Sequence, residues 1–209
     1  MSALVDKITR ALKRDQGLSP AALAKKIVSN VEALALAKAT LRACSRVGAR
    51  ARTFGVPRVD NKGVMSVGDD FAVSCRFGDA LLATGDHGRL EIGDSVTVNY
   101  GTAISASERV HIGDRVMIGP YCVVSDTDLP SPLAHAGDTS SPIEIGEDAW
   151  LAARVVVRPG VHIGAHAVVA AGSVVETDIP PYAIASGSPA KVLRVRSPDE
   201  EHPHATHAA

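Results

Sequence analysis

The stretch that decides the fold runs from Ile145 to Pro180. It divides into six consecutive units of six residues, IGEDAW, LAARVV, VRPGVH, IGAHAV, VAAGSV and VETDIP. Each unit begins with Ile, Leu or Val, and the fifth residue of each is mostly small or branched. A period of six fits neither an α-helix nor an alternating strand. It is typical of a solenoid in which three short strands form one triangular coil, with the first and fifth residues pointing inward.

The same unit occurs upstream. IGDSVT, VNYGTA and ISASER follow one another from Ile92, and IGDRVM, IGPYCV and VSDTDL follow from Ile112 after a slip of two residues. A weaker trace, VGDDFA and VSCRFG, starts at Val67. The second residue is often Gly, as expected where a corner leaves no space for a Cβ atom. The sequence therefore predicts a mainly β protein, a left-handed parallel β-helix with an N-terminal α-helical segment.

The repeat sets the predicted domain boundaries. Residues 1–56 form a basic helical segment, residues 57–196 form the solenoid and residues 197–209 form a disordered tail. Two segments interrupt the units: Arg76–Leu90, predicted as an insertion, and residues 126–142, predicted as a loop expelled between coils. A loop of that length inside a compact domain is usually functional.

The N-terminal segment has a charge of its own. Residues 1–58 contain 12 Lys or Arg and 3 Asp or Glu, whereas the rest contains 10 and 20. Pro20 fits the first position of a helix, preceded by Ser19 as N-cap. The predicted apolar stripe consists of Leu23, Ile27, Val31 and Leu34. Two roles stay open for this segment: capping the open end of the solenoid, or peripheral association with a membrane. No nucleic-acid partner is predicted.

Cysteine usage and hydropathy indicate the compartment. The three cysteines, Cys44, Cys75 and Cys122, contain no CxxC pair, which favours reduced thiols. The sequence has no apolar run long enough to span a bilayer and no clear secretory signal. We therefore predict a cytoplasmic protein.

The units, the interrupting loop and the ending GSVVETDIPPYAIASGSPAKVLRV (Gly172–Val195) together resemble the hexapeptide-repeat acyltransferases. The resemblance covers about Pro57 to Arg196 and is strongest to the galactoside, maltose, nodulation-factor and polysaccharide O-acetyltransferases. It implies a homotrimer that binds acetyl-CoA in the groove between neighbouring subunits. It also implies a small-molecule or glycan acceptor.

The resemblance also implies roles for individual residues. Lys191 and Arg194 match the basic pair that contacts the nucleotide phosphates, a task that suits cations. Thr177 stands where the family often has Lys. Asn99, in VNYGTAIS, matches an acceptor-facing Asn, although an Asn that satisfies backbone groups at a corner is an equal alternative. The positions that match the acyl-carrier part of the groove are Trp150, Ala153, Ala171 and Gly172.

The family's catalytic histidine is missing from its usual place. The related polysaccharide enzymes have it in a D-x-D-F-H motif at the start of the loop, and Pro130 occupies that position here. Transfer to a hydroxyl needs a general base, for which imidazole is well suited. Our preferred candidate is His135, oriented by Asp126 or Asp128. The alternatives are a histidine outside the loop, namely His87, His111 or His162, or loss of catalysis.

The sequence thus predicts an acetyl-CoA-dependent O-acetyltransferase that acts on a sugar or polysaccharide-precursor hydroxyl. The main alternative is a catalytically impaired trimeric scaffold. A zinc enzyme of the γ-carbonic anhydrase type is less favoured, because the H-G-C-x-I-G stretch is absent although His162 and His166 lie close in sequence. We predict no metal site.

Overall fold

The structure, a computed structural model, describes residues 20–127 and 140–200. Three parallel sheets form the faces of a triangular prism. Sheet A consists of β1 (Arg46–Val47), β4 (Val64–Val67), β7 (Arg89–Ile92), β10 (Arg109–Ile112), β13 (Ile143–Ile145) and β16 (His162–Ile163). Sheet B consists of β2 (Arg52–Phe54), β5 (Ala72–Ser74), β8 (Thr97–Val98), β11 (Met117–Ile118), β14 (Trp150–Leu151), β17 (Val168–Val169), β19 (Ala183–Gly187) and β20 (Ala190–Val195). Sheet C consists of β3 (Arg58–Asn61), β6 (Leu81–Thr84), β9 (Ala103–Ala106), β12 (Val123–Ser125), β15 (Val156–Val157) and β18 (Val174–Val175).

The chain visits the sheets in the order A, B, C, so that each strand pairs with the equivalent strand one coil later. The last pair is different, since β20 turns back antiparallel to β19. The predicted fold class, a left-handed parallel β-helix, is confirmed.

The core follows the six-residue period. The first residues of the predicted units are all buried, and so are the fifth residues of the final six units. The core of the described residues is mostly Val, Ile, Leu and Ala, and Phe71, which has no exposed surface, is its one aromatic side chain. The first residues are Ile92, Val98, Ile104, Ile112, Ile118, Val124, Ile145, Leu151, Val157, Ile163, Val169 and Val175.

Glycine is required at the corner between sheets A and B because successive coils nearly touch there. A Cβ atom on Gly146 would lie 2.5 Å from the Ala165 nitrogen, and one on Gly164 would lie 2.3 Å from the Pro181 nitrogen. Neither space can be opened by a side-chain rotation, since the obstructing atoms belong to the backbone. The predicted reason for Gly at the second position is therefore confirmed.

Alanine at Gly146 is expected to lower the free energy of unfolding by about 2–3 kcal/mol, because the overlap must be relieved by separating two coils. Gly78→Ala is the matched control, since its Cβ would be 3.5 Å from its nearest neighbour. We expect that control to change stability by less than about 0.5 kcal/mol. Chemical denaturation measures both, and equal losses would contradict the explanation.

Helix α1 (Pro20–Thr40) packs against β2 and covers the first coil. It begins at Pro20, as predicted. Of the predicted stripe, Leu34 is half-buried toward the first coil, and the side chains of Leu23 and Ile27 lie outside the described residues. Ala33 and Ala37 are buried, and Leu41 follows them into the core, whereas Val31 is 60 % exposed. Because Ala33 and Ala37 are small, the helix can lie close to the sheet, and the larger side chain of Val31 points outward. Among the described residues, no helix is long and apolar enough to cross a membrane.

The solenoid also begins earlier than the predicted boundary at residue 57. β1 and β2 belong to a first coil that begins at Arg46. The outer face of this coil is rich in Arg, which makes the repeat hard to recognise in the sequence. The predicted insertion Arg76–Leu90 is likewise wrong. It contains β6 and the start of β7, and both Leu82 and Leu90 are fully buried. Longer corners on either side of β6 displace its apolar residues from the period of six.

The three cysteines are unpaired in the structure. Burial raises the pKa of Cys44 to about 11 and also raises the pKa of Cys122. Both side chains are therefore thiols rather than thiolates at neutral pH, and they pack as apolar groups.

Candidate active site

The interrupting loop leaves the solenoid at Asp126, between the fourth and fifth coils. The Asp126 side chain is fully buried, and its carboxylate accepts backbone N–H hydrogen bonds from Ser107 (2.8 Å), Glu108 (2.7 Å) and Arg109 (2.8 Å). Its carbonyl oxygen accepts a hydrogen bond from the Ser141 N–H at 2.8 Å. Asp126 therefore fixes both ends of the loop to one corner of the previous coil.

The predicted dyad is only partly visible. His135, Asp128 and Pro130 lie outside the described residues, so His135 as base stays a prediction. Asp126 as the orienting carboxylate also stays a prediction, and three of its acceptor positions are already used by backbone amides. A carboxylate offers about four such positions, so about one is left on Asp126 for an imidazole.

Two other histidines lie on the outer face of sheet A. His111 is in register with Glu91 on one side and with Glu144 on the other, and Glu144 is followed by His162. The Nδ1 atom of His111 is 3.9 Å from Glu91 Oε2, and that of His162 is 3.4 Å from Glu144 Oε2. This alternating column follows from the in-register pairing of successive coils, and the interrupting loop between His111 and Glu144 hides it in the sequence.

The other described histidines are His87 and His166. His87 is an exposed residue of the corner before β7. His166 lies at the corner between sheets A and B, where its ring stacks on Tyr182 at 4.6 Å between centroids. His111 on β10 and His162 on β16 each lie one strand from β13, into which the loop returns.

The predicted acyl-carrier residues come together at one edge of sheet B. Ala153 follows β14 and Gly172 follows β17, and the Gly172 N–H donates to the Ala153 carbonyl at 2.9 Å. Ala171 is exposed beside them, and a Cβ atom added to Gly172 would meet no atom within 4 Å. Trp150 is half-buried on β14. The outer surface of this edge is open at Ala171 and Gly172 and made of small groups, whereas its inner side is tightly stacked at Gly119.

The predicted phosphate-binding residues lie on the same sheet. Lys191 and Arg194 are exposed on β20, which is three strands from β14 and so about 14 Å from Trp150. Thr177 does not join them. It follows β18 at the corner that leads from sheet C to sheet A. The structure thus brings together all the predicted donor-binding residues except Thr177.

Asn99 has a structural contact. Its Nδ2 atom donates to the Ile118 carbonyl in the next coil at 3.2 Å, alongside the bond from its own backbone N–H at 3.0 Å. This geometry supports the corner alternative, and a contact with the acceptor stays a prediction.

An aromatic cluster lies at the same edge, nearer the N-terminus. Tyr100 packs edge-on against both Phe77 and Tyr121, with centroids 5.4 and 5.5 Å apart. Phe77 is 75 % exposed and Tyr121 is 47 % exposed. These are three of only seven aromatic residues in the chain. In the sequence, Tyr100 is directly followed by Gly101. A Cβ atom added to Gly101 would lie 2.3 Å from the Tyr121 ring, so this glycine is the local sequence signal for the cluster.

A zinc site receives no support. The described residues contain no group of three His, Cys, Asp or Glu side chains that could hold a metal ion. His162 lies on sheet A, and His166 lies at a corner against Tyr182 and Asp148.

A cavity of about 360 Å³ between α1 and the first coil contains none of the predicted site residues.

Comparison with known proteins agrees with the repeat. Residues 142–177 match the family model described as bacterial transferase hexapeptide (six repeats). Galactoside O-acetyltransferase of Escherichia coli (strain K12) is 38 % identical over 54 % of this chain and 57 % of its own length. A chloramphenicol acetyltransferase of Morganella morganii is 32 % identical over 56 % of each chain. The chain spans about half the length of the curated relatives it matches.

Solved structures share the fold. A hexapeptide-repeat acetyltransferase of Vibrio cholerae, complexed with acetyl coenzyme A, has a TM-score of 0.51 at 25 % identity and covers 76 % of this chain and 74 % of its own. The N-acyltransferase AntD of Bacillus cereus, as a D94A mutant with dTDP and coenzyme A, has a TM-score of 0.65 at 20 % identity and covers 78 % and 89 %. The repeat and the shared solenoid agree with the match of residues 142–177 to the hexapeptide transferase model, and make the chain similar to the hexapeptide-repeat acetyltransferases.

Proposed function

We propose that the protein transfers an acetyl group from acetyl-CoA to a hydroxyl of a sugar or polysaccharide precursor. The observation that carries the proposal is the open edge formed by Ala153, Ala171 and Gly172, which continues along sheet B to the basic strand β20. Small groups leave space for a narrow acyl carrier, and Lys191 and Arg194 offer cations to its phosphates. The galactoside acetyltransferase relative supports a sugar acceptor.

In this reaction the acceptor oxygen attacks the thioester carbonyl carbon and forms the new C–O bond. The base takes the hydroxyl proton, and the C–S bond breaks as the coenzyme A thiolate leaves. His135 is the proposed base, and it belongs to a segment whose two described ends are joined by the hydrogen bond from the Ser141 N–H to the Asp126 carbonyl. An exposed edge in one chain leaves the donor half-enclosed, so we propose that a second copy closes the groove within a homotrimer.

We also propose that the protein works in the cytoplasm, close to lipid-linked glycans. Three unpaired cysteines suit the cytoplasm, where thiols stay reduced. The basic N-terminal segment suits an anionic surface near lipid-linked glycans, although α1 itself caps the first coil. A place in polysaccharide biosynthesis fits both features.

An amine acceptor is the second candidate, because Pro130 removes the family's histidine and an amine needs less activation than an alcohol. Incubation with acetyl-CoA and a panel of galactosides, maltosides and amino sugars, followed by mass spectrometry, tests both. The hydroxyl proposal expects an ester that alkali removes, whereas amine transfer gives an alkali-stable amide. Bound acetyl-CoA without acetylated product from any acceptor would instead favour a scaffold.

A further inference from the structure

The donor end of the proposed groove contains an acidic side chain that neither the repeat nor the family resemblance assigns. Arg194 and Glu200 form a two-point ion pair, with Nη2 to Oε1 at 2.6 Å and Nη1 to Oε2 at 3.0 Å. Both parallel N–H groups of the guanidinium are therefore engaged. A phosphate would use the same pair of donors.

The position of Glu200 is set by the backbone that precedes it. Its N–H donates to the Ser197 carbonyl at 2.9 Å, which closes a turn immediately after β20. Arg196, only 4 % exposed, anchors this turn: its N–H donates to the Tyr182 carbonyl at 3.0 Å, and its Nη1 contacts the Glu200 carbonyl at 3.4 Å. The turn therefore directs the carboxylate back toward Arg194.

We propose that Glu200 is an internal competitor for the phosphate-binding side of the donor groove, so that a phosphate of acetyl-CoA binds Arg194 only by displacing this carboxylate. The proposal rests on the proposed function, because it takes Arg194 to be a phosphate contact. Both oxygens of a carboxylate match the spacing of two phosphate oxygens, so the two anions compete for the same Nη1–Nη2 edge of the guanidinium.

Exposure sets the size of the effect. The Arg194 and Glu200 side chains are 55 % and 39 % exposed, and ion pairs of this kind are weak. Removal of the competitor should therefore strengthen acetyl-CoA binding by about 2- to 5-fold. A weak pair suits this role, since a strong one would exclude the ligand.

The test is calorimetric titration of the full chain and of Glu200→Gln with acetyl-CoA. Glu200→Gln should lower the Kd by about 2- to 5-fold. The matched control is Asp199→Asn, which removes one negative charge from the same exposed turn and should leave the Kd within about 1.5-fold. An equal gain in both variants would assign the effect to overall charge and overturn the proposal.

A second pair of variants tests the route. In an Arg194→Gln background the gain from Glu200→Gln should disappear, because no guanidinium is left to compete for. Persistence of the gain would overturn the inference. Binding by all chains with no change in Glu200→Gln would overturn the competitor alone, whereas no binding by any variant would overturn the proposed function itself.

Discussion

Replacement of Asp126 by alanine is expected to lower the free energy of unfolding by about 2–4 kcal/mol. The carboxylate is fully buried and accepts three backbone N–H groups from consecutive residues, Ser107 to Arg109. Its loss removes three charge-assisted hydrogen bonds at once, and entry of water recovers only part of them. Chemical denaturation measures the change.

Asp86→Ala is the matched control for this prediction. Asp86 is an exposed aspartate at the equivalent corner of an earlier coil, so we expect a change within about 0.5 kcal/mol. Asp126→Asn should lie between the two, since the amide keeps one acceptor oxygen but loses the charge. An Asp126→Ala protein as stable as the control would show that the loop does not depend on this anchor.

Replacement of His135 by alanine is expected to lower the rate of acetyl transfer to a hydroxyl by about 10²–10⁴-fold, the usual contribution of a general base. The Kd of acetyl-CoA should stay unchanged, because the base contacts the acceptor proton rather than the donor. The measurement is product formation by mass spectrometry with the sugar that the acceptor panel identifies. An amine acceptor should show a smaller loss.

His87→Ala and His111→Ala complete this experiment. His87 is exposed at the equivalent corner two coils before the loop, so a loss of rate in His87→Ala alone would move the assignment to that histidine. If His135→Ala keeps the full rate while His111→Ala loses it, the base is the sheet A histidine beside Glu91 and the loop assignment is wrong. Loss in His135→Ala alone would support the loop histidine.

The sequence predicted the solenoid well because its period is a direct consequence of geometry. Residues such as Ile118 and Leu151 are inward and Gly146 is at a crowded corner for steric reasons that local sequence records. The first coil and β6 were missed because their corners differ in length, which shifts apolar residues such as Leu82 out of phase. On α1, the burial of Ala33 and Ala37 instead of Val31 depends on how closely the helix approaches β2, which is a tertiary property.

The contacts of the candidate site were less predictable, because several of them join residues that are far apart in the sequence. Ala153 and Gly172 could be placed together, since they are one coil apart and the period brings them into contact. The three amides bound by Asp126 come from the preceding coil, about twenty residues earlier, and no local pattern announces that contact. Glu200 was assigned to a disordered tail, and only the turn after β20 shows that it meets Arg194.

Titration of the purified protein with acetyl-CoA by calorimetry tests the central claim most directly, since it requires no acceptor. The account predicts saturable binding at about one site per chain, weakened by a bulky residue at Ala171 that fills the open edge while leaving the buried core unchanged. Absence of binding at concentrations that saturate related acetyltransferases would contradict it. The solenoid would then have kept its shape without its donor site.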